Sequence, residues 1–353
     1  MVRRSRAAYR PRSRRRERRA LIGSAVDDTR DALTRIFHRA LQSVIVVVVA
    51  ASFAFTLLHA APGDPISAIA DVSGISPELR AQWRAQEGFD QPIAVQYMRW
   101  IGKVAHGDFG RSTSQKRPVI DVIRDRLPNT LLLMSLALGA SVLLGAAIGA
   151  WQGARIGTRA DRSISFLSLL TYSVPEFWLA LGLLTVFALR FPILPAGGMI
   201  DVAMHDSMSP VDQVIDRLRH LILPWLALTL IGSAVFARYQ RETMRDMLRE
   251  PFVRTAVAKG LSQRAARRQA WRAAILPIIT LSGLFFPALF TGAVFVENIF
   301  GWPGMGSALL GAISDRDYAL VSACVIIGSA MTTLGTLLAD VVRSLVDPRL
   351  RIS

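Results

Sequence analysis

Apolar residues in this chain are grouped in long runs that are separated by charged gaps. Six runs predict membrane-spanning helices, at 41–61, 130–150, 164–189, 221–237, 276–296 and 319–338. A helix needs about 20 mainly apolar residues to cross a bilayer. The pattern therefore predicts an all-α polytopic membrane protein with six transmembrane helices.

Several of these runs carry features of their own. The first is longer than the apolar core of a secretory signal and is interpreted as an uncleaved span, although HAAPG at 59–63 resembles a cleavage site. In the second, Gly145 and Gly149 have the spacing that lets another helix approach closely. Pro175-Glu176 interrupts the third run, while Pro224 and Pro287 lie within later ones. Proline is tolerated in spans where neighbouring helices or water satisfy the freed carbonyl.

The gap between the first two runs predicts a small helical insertion at 62–129. Ser76-Pro77-Glu78 is a typical helix start, with a capping hydroxyl, proline in the first turn and an acid beside it. Two further short amphipathic helices are predicted from the apolar positions Ile93, Tyr97, Ile101 and Val104, and then Ile120, Ile123 and Leu127. They are too charged and too short to cross a membrane.

The net charge of +16 could indicate a nucleic-acid-binding protein, but its distribution indicates membrane orientation instead. With the N-terminus inside, 29 of the 42 Lys and Arg residues fall on the cytoplasmic side. They lie in an Arg-rich arm at 1–40, a gap at 152–163, a loop at 238–275 and a tail at 343–353. Both termini are therefore predicted to be cytoplasmic, and the core of the protein to span 130–342. The arm is interpreted as solvated or in contact with lipid headgroups, with nucleic-acid binding as the alternative.

The cytoplasmic loop contains RTAVAKGLSQRAARRQAWRAAILP at 254–277, which has six basic residues and no acid. Glu250-Pro251 predicts a helix start, and Phe252, Val253, Ala256 and Val257 form an apolar strip on that helix. Gly260 predicts its end, because glycine adopts the left-handed cap at low cost, and Ser262 can cap a second helix. Such a presented amphipathic helix suits a groove on a partner protein, or equally an anionic lipid surface.

The loop resembles the cytoplasmic loop of ATP-binding-cassette importer permeases, in the form found in the dipeptide/oligopeptide branch. Ala256 and Gly260 match the general pattern, while Arg254 and Thr255 replace its first two letters. Similar stretches are PGDPI at 62–66, GDFGRS at 107–112, SVPEFW at 173–178, VENIFGWPGMG at 296–306, RDY at 316–318 and DPRLR at 347–351. The resemblance covers about residues 40–351.

This resemblance implies the type I importer permease fold and a set of partners. These are a second, related permease, two cytoplasmic ATPase subunits, an extracytoplasmic substrate-binding protein, membrane lipid and a peptide substrate, with no nucleic acid. It implies that the 250–262 helix contacts the ATPases through Phe252, Val253, Arg254, Thr255, Ala256, Lys259 and Gly260. The expected location is the cytoplasmic (inner) membrane of a prokaryote. Nickel, glutathione or another small solute remains an alternative cargo.

The chain is expected to be a non-catalytic subunit without a cofactor of its own. It lacks the G-x-x-x-x-G-K-[ST] motif that cradles nucleotide phosphates, so ATP and Mg²⁺ are expected on the partner ATPases. An intramembrane enzyme would need paired catalytic groups, and only Glu176 lies clearly at membrane depth. A passive channel would have no use for a coupling loop.

Five residues are candidates for the translocation path or an outer gate. Glu176 is predicted either to line the path or to make a structural hydrogen bond, because a charge in a span is costly. Glu297, Trp302, Pro303 and Gly304 surround a stiff Pro-Gly turn, where Trp302 could instead be an interfacial aromatic residue. Cys324 is interpreted as a small buried hydrophobe, Asp340 as the partner of a nearby arginine, and the five histidines as scattered, without metal-ligand spacing.

Overall fold

The structure is a computed structural model that describes residues 41–56, 82, 91–291 and 293–346. The Arg-rich arm, PGDPI, the helix start at Ser76 and the DPRLR tail lie outside these residues. The chain divides into two compact units, residues 1–49 and residues 50–353, and all described helices except the first turns of one belong to the second unit.

The described residues are helical and contain no β-strand, apart from one isolated bridge between Arg111 and Pro118. The helices are α1 Leu41–Thr56, α2 Ile93–Ala105, α3 Val119–Gly153, α4 Arg159–Ser173, α5 Glu176–Leu184, α6 Pro210–Arg249, α7 Pro251–Ala258, α8 Gln263–Ala274, α9 Leu276–Gly283, α10 Ala288–Thr291, α11 Val294–Ile299, α12 Met305–Ser314 and α13 Tyr318–Val346. A π-helix, Thr185–Arg190, continues α5, and a short 3-10 turn, His205–Ser207, precedes α6.

Three of these helices are long and apolar enough to cross a membrane: α3, α6 and the Tyr318–Ala339 part of α13. The pair α4 and α5 passes the same test together, with a bend of 102° at the break, which gives up to four spans by length and composition. The break falls at Val174-Pro175, where the missing proline N–H and its clash with the preceding residue disfavour a continuous helix. The chain is therefore a helical, multi-pass membrane protein.

Helix α3 begins before the apolar run that predicted it. The third short amphipathic helix expected around Ile120 is not separate, because it forms the first turns of α3. Its apolar residues Val119, Val122 and Ile123 are buried against Leu320 and Ala323 of α13. The predicted span began only at 130 because charged residues lie between these apolar positions. Those charged residues occupy the opposite face of the same continuous helix.

Helix α6 has 40 residues, so it is about 60 Å long, twice the hydrocarbon thickness of a bilayer. The predicted run at 221–237 is only its apolar middle. Both ends of α6 therefore extend well beyond that run, and each end carries one of the clusters described below.

The prediction of one helix over 276–296 was wrong. The chain forms α9, a turn at 284–287, and then α10 and α11. Pro287 accounts for the turn because it lacks a backbone donor and disfavours helix in the residue before it. Helices α9 and α10 pack on α13, where a Cβ on Gly335 would lie 2.8 Å from the Pro287 nitrogen.

The central contact of the fold is a parallel pair formed by α3 and α6. Ser141, Gly145 and Gly153 of α3 meet successively later residues of α6, at Thr229, Ala237 and Arg241. A Cβ on Gly145 would lie 2.9 Å from the Ala237 nitrogen, and a Cβ on Gly153 would lie 2.7 Å from the Arg241 oxygen. The close approach predicted from the Gly145 and Gly149 spacing is therefore confirmed.

This parallel pairing defines two ends of the bundle. Helices α3 and α6 start at one end, so α4 and α5 must return the chain between them. Helices α9 to α11 also return to that end, where α13 starts. We name it the Glu297 end, and we name the opposite end, which carries α7 and α8, the loop end.

Candidate functional site

Helix α7, in the basic loop, forms as the sequence predicts. Glu250 has an extended backbone at the N-cap, and Pro251 occupies the first helical position. At the other end, Gly260 has a φ of +90°, its N–H donates to the Val257 carbonyl at 2.9 Å, and Leu261 donates to the Ala256 carbonyl at 3.1 Å. This pair of bonds is the Schellman motif, so the helix end predicted at Gly260 is confirmed. We name this turn the Gly260 elbow.

One side of α7 is buried within the chain. Val253 and Val257 pack in a cluster that we name the loop core, whose buried members are Met244, Val253, Ala266, Ala270 and Ala274. Ala256, on the same side of α7, is also buried. Ala150 and Ala154, at the end of α3, pack against it from the other side. Val253 and Ala256 therefore hold α7 on the bundle through apolar contact.

The opposite side of α7 is exposed. Phe252, Thr255 and Lys259 follow one another at steps of three and four residues on this side, and Arg254 and Gly260 are exposed beside them. The apolar strip was predicted to include Phe252, but its side chain is 39% exposed and stands apart from the loop core. A large aromatic side chain is thus presented on a basic surface.

Helix α8 continues from the elbow. The Ser262 hydroxyl accepts a hydrogen bond from the Ala265 N–H at 3.3 Å, which confirms the predicted cap. Ala266, Ala270 and Ala274 form its buried face and let it lie close to α6. The two helices therefore form the predicted consecutive pair, buried on one side and exposed on the other.

The loop end also contains a polar contact that the sequence analysis missed. Asp161, which is 1% exposed, accepts two hydrogen bonds from the Arg241 guanidinium, at 2.7 and 3.0 Å. It also accepts from the Gly157 N–H at 3.0 Å, which ties the turn between α3 and α4 to α6. No local pattern signals this pair, because its members are 80 residues apart.

At the Glu297 end, a buried carboxylate organises the VENIFGWPGMG segment. Glu297 is fully buried and accepts hydrogen bonds from the Thr130 hydroxyl at 2.8 Å and from the N–H groups of Gly306 and Ser307 at 2.7 and 3.1 Å. These N–H groups belong to the first turn of α12, where a carboxylate is favoured by the unpaired donors and the helix dipole. We name this arrangement the Glu297 node.

The other predicted gate residues close the same node. Trp302 is 1% exposed, and its indole N–H donates to the Asn129 carbonyl at 3.0 Å. The Asn129 amide donates in return to the Pro303 carbonyl at 2.9 Å, and Gly304 leaves no room for a Cβ beside Glu297 and Thr130. These residues therefore fasten the segment to α3, and the Trp302 side chain is buried within the chain and not exposed at its surface.

Two further segments named in the resemblance meet at this end. Asp317, fully buried, accepts from the Ser112 hydroxyl and from both the N–H and the hydroxyl of Ser114, at 3.1 and 2.8 Å. The RDY segment at the start of α13 thereby holds the loop that follows GDFGRS. This contact joins positions more than 200 residues apart.

Glu176 lies in the first turn of α5, directly after the bend. Its side chain is half-buried, and it makes no hydrogen bond or ion pair with the residues that the structure describes. Its predicted role in the translocation path remains a prediction.

Two of the five histidines, interpreted from the sequence as scattered, meet at the start of α6. His205 Nδ1 lies 2.7 Å from one carboxylate oxygen of Asp216, which also accepts from the Asp201 N–H at 3.0 Å. His220 Nδ1 hydrogen-bonds the backbone carbonyl of Asp216 at 2.8 Å and lies 3.1 Å from its other carboxylate oxygen. Both histidines thus contact one aspartate, and the described residues contain no group of three or more His, Cys, Asp or Glu that could hold a metal ion. The cluster therefore fastens the 191–209 loop to α6.

Cys324 is 6% exposed and packs with Val119, Met305 and Leu320, as predicted for a small buried hydrophobe.

Comparison with known proteins gives a consistent result over both halves of the chain. Residues 32–135 match the N-terminal family of binding-protein-dependent transport system membrane components, and residues 141–352 match the binding-protein-dependent transport system inner membrane component family. The chain is 35% identical over 317 residues to the oligopeptide transport system permease protein AppB of Bacillus subtilis (strain 168), covering 89% of this chain and 98% of that protein.

Two more relatives have similar coverage. The dipeptide transport system permease protein DppB of Escherichia coli (strain K12) is 34% identical over 313 residues, which are 84% of this chain and 92% of that protein. The oligopeptide transport system permease protein OppB of Mycobacterium tuberculosis is 36% identical over 327 residues, 91% of this chain and 100% of that protein. With one family match spanning more than half of its length, this chain belongs to the family of binding-protein-dependent transport system inner membrane components.

Proposed function

We propose that this protein is a transmembrane permease subunit of an ATP-driven importer of di- or oligopeptides, and that α7 couples it to partner ATPases. The observation that carries the proposal is the two-sided geometry of α7. Its apolar side is fixed to the bundle, and its other side presents Phe252, Thr255 and Lys259 to solvent. A short helix held in this way can pass a displacement of a bound partner to α6 and α8.

The geometry also narrows the set of residues that we propose as the ATPase contact. Of the seven residues predicted for this interface, Val253 and Ala256 are buried and are proposed to hold the helix. The exposed residues Phe252, Arg254, Thr255, Lys259 and Gly260 are proposed to form the docking surface. Phe252 is its centre, because a large aromatic side chain contributes most when it fills a partner's pocket.

The proposed topology has six spans with both termini in the cytoplasm. The five passages between the Glu297 end and the loop end are α3, the bent α4–α5 pair, α6, α9 to α11, and α13, and α1 supplies the sixth. The excess of Lys and Arg at the loop end supports a cytoplasmic location for it in the inner membrane of a prokaryote.

The proposed partners are a second permease, two ATPase subunits that bind ATP and Mg²⁺, and an extracytoplasmic binding protein that delivers the peptide. ATP would act by stabilising one of two states of the permease pair more than the other. The relatives named for peptide transport favour peptides over nickel, glutathione or another small solute.

The test is the variant Phe252→Asp in the complete complex, reconstituted with its ATPases, second permease and binding protein. The charge would replace an aromatic side chain that the ATPase is proposed to bury. It should lower substrate-stimulated ATP hydrolysis by about tenfold or more, because such anchor residues contribute about 2 kcal/mol or more to an interface. Co-purification of the ATPases should fall in parallel, while the melting temperature of the permease should stay unchanged.

The matched control is Ile156→Asp. Ile156 is 40% exposed, close to the 39% of Phe252, and lies at the same end in the turn after α3 but outside α7. This variant should couple as the wild-type protein does. The proposal is wrong if Phe252→Asp also retains full stimulation, or if the chain never associates with ATPases.

A further inference from the structure

The exposed face of α8 carries a continuous basic stripe that the coupling role of α7 does not use. It follows positions separated by three or four residues, which lie on one side of a helix. Its members are Arg264, Arg267, Arg268, Trp271 and Arg272. All five are exposed, with Trp271 at 41%, while the alanines on the opposite side are buried.

The charge of this stripe is not balanced within the described part of the chain. None of its four arginines forms an ion pair there, although Arg241 and Arg245 at the same end are paired with Asp161, Glu242 and Asp246. The sequence contains no acidic residue between Glu250 and Glu297 that could neutralise it locally. Within the described residues, the stripe is therefore open to an anionic partner.

The packing of α8 places the stripe where the apolar spans end. Its buried alanines share the loop core with Met244 of α6, and Ala150 and Ala154, which follow the apolar part of α3, pack against that core. Its last residue, Ala274, accepts a hydrogen bond from the Thr243 hydroxyl at 3.3 Å, and the chain then enters the apolar helix α9. Trp271 lies one turn before this transition, at the level where tryptophan is enriched in membrane proteins.

We infer that this stripe binds the phosphates of anionic phospholipid headgroups in the leaflet that faces the loop end. Guanidinium groups bind phosphate oxygens in a bidentate manner, and basic residues beside a span are attracted to an anionic surface. The Trp271 side chain and the direct continuation into α9 favour a lipid surface over an acidic protein surface. The inference rests on the proposed function in one respect, the location of the basic loop at the cytoplasmic membrane surface.

Such binding would fix the base of the loop. Helix α8 would be held by lipid on one face and by the loop core on the other, so that α7, beyond the Gly260 elbow, is the part that a partner can move. The stripe and the docking surface of α7 thus have separate ligands and can be tested separately.

The test uses the full chain alone in phosphatidylcholine vesicles that contain 20% phosphatidylglycerol, about the lower range in which an anionic surface attracts basic segments. Photoactivatable phosphatidylglycerol or phosphatidylcholine is added as a trace probe, and cross-links are mapped by peptide mass spectrometry. In residues 263–274, the phosphatidylglycerol cross-links should exceed those of phosphatidylcholine by about threefold or more, and the excess should decline at high salt. Mapping by peptide keeps the signal separate from the Arg-rich arm.

The main variant replaces all four stripe arginines by glutamine: R264Q, R267Q, R268Q and R272Q. The ratio of phosphatidylglycerol to phosphatidylcholine cross-links in residues 263–274 should then fall to near one. The matched variant with lysine at the same four positions should keep at least half of the excess, since it retains the charge. A second control removes four exposed arginines elsewhere at the loop end, R159Q, R162Q, R238Q and R249Q, and should leave the excess unchanged.

Each contrary result has a definite meaning. If the glutamine variant keeps the full excess, or the lysine variant loses as much of it, the inference is overturned. If neither lipid cross-links to residues 263–274, the stripe does not face the membrane. If the glutamine variant binds lipid normally but no longer retains the ATPases, the stripe belongs to an acidic protein surface.

Failure of this inference and failure of the proposed function can be distinguished. The cross-linking needs no ATPase, and the Phe252→Asp test needs no lipid probe. Should the glutamine variant be unstable on size-exclusion chromatography, the double variant R264Q and R268Q, which leaves the end near α9 unchanged, should lose about half of the excess if each charge contributes similarly.

Discussion

The Glu297 node and the loop core lie at opposite ends of the same parallel helix pair, and they are built in opposite ways. At the node, a buried carboxylate, hydroxyl, indole and amide find partners in directional hydrogen bonds. In the loop core, small and flexible apolar side chains meet with no polar contact among them. Directional bonds fix one geometry, whereas apolar packing is non-directional and allows small displacements.

This difference assigns different mechanical roles to the two ends. The node holds the loop after α11 and the start of α12 to α3 as one unit, so its predicted gate residues act by fixing a shape. The loop core holds α7 by apolar packing alone, and under the proposed function this packing is what allows α7 to move with a bound partner. Between the two ends, the glycines of α3 keep it in close contact with α6.

The largest effect is expected from Glu297→Ala. It leaves the Thr130 hydroxyl and two N–H groups without an acceptor in a buried site, which should cost about 3–5 kcal/mol. The measurement is the melting temperature in detergent, together with the yield of monodisperse protein. Glu242→Ala is the control, because that side chain is 42% exposed and its ion pairs should contribute less than about 1 kcal/mol. Equal losses in both variants would refute the distinction between a buried node and a solvated surface.

A smaller effect is expected from Gly149→Ala, which tests the connection between the two ends. The added Cβ would lie 2.9 Å from the Arg241 nitrogen and close to the Ala237 oxygen, so α3 and α6 must separate slightly. We expect a loss of about 1–3 kcal/mol in the free energy of unfolding, typical of overpacking. Gly139→Ala in the same helix meets nothing within 4 Å and should be neutral or slightly stabilising. A neutral result for Gly149→Ala would show that the two helices are not closely packed there.

The smallest effect on global stability is expected from Gly260→Ala. An added Cβ meets nothing within 4 Å, so the cost of about 1 kcal/mol comes only from the positive φ. Because the strain is local, it should appear as faster proteolysis between α7 and α8 with little change in melting temperature. Gly182→Ala, which also has open space but lies within α5, should not change the cleavage rate. Accelerated cleavage in both variants would argue against a special elbow at Gly260.

The loop end was predicted well from the sequence because its signals are local. Pro251 at the helix start, Gly260 at the turn and Ser262 at the next cap each act within four residues, and all three hold in the structure. The exposure of Phe252 was not predicted. Phe252 lies at the edge of the apolar strip, so only the packing of α7 on the bundle decides whether its side chain faces the core or solvent.

The Glu297 end was predicted in its residues but not in its geometry. Glu297 and Trp302 were identified as candidate gate residues, which stays a prediction. Their bonding partners were not predicted, because these lie at 129–130, about 170 residues away. Asp317 with Ser112, Asp161 with Arg241, and Asp216 with its two histidines were missed for the same reason.

By itself, the sequence determined the helical membrane class, most of the apolar spans, the two consecutive helices of the basic loop, and the glycine positions that let helices meet. These features follow from hydrophobicity, backbone preference and capping, which act over a few residues. Only the tertiary structure decided that α3 and α6 run parallel, that 276–296 breaks at Pro287, and which side of α7 faces outward. It also decided which donors bind the buried acids. The free energies of these hydrogen bonds depend on contacts between segments that the chain brings together only on folding.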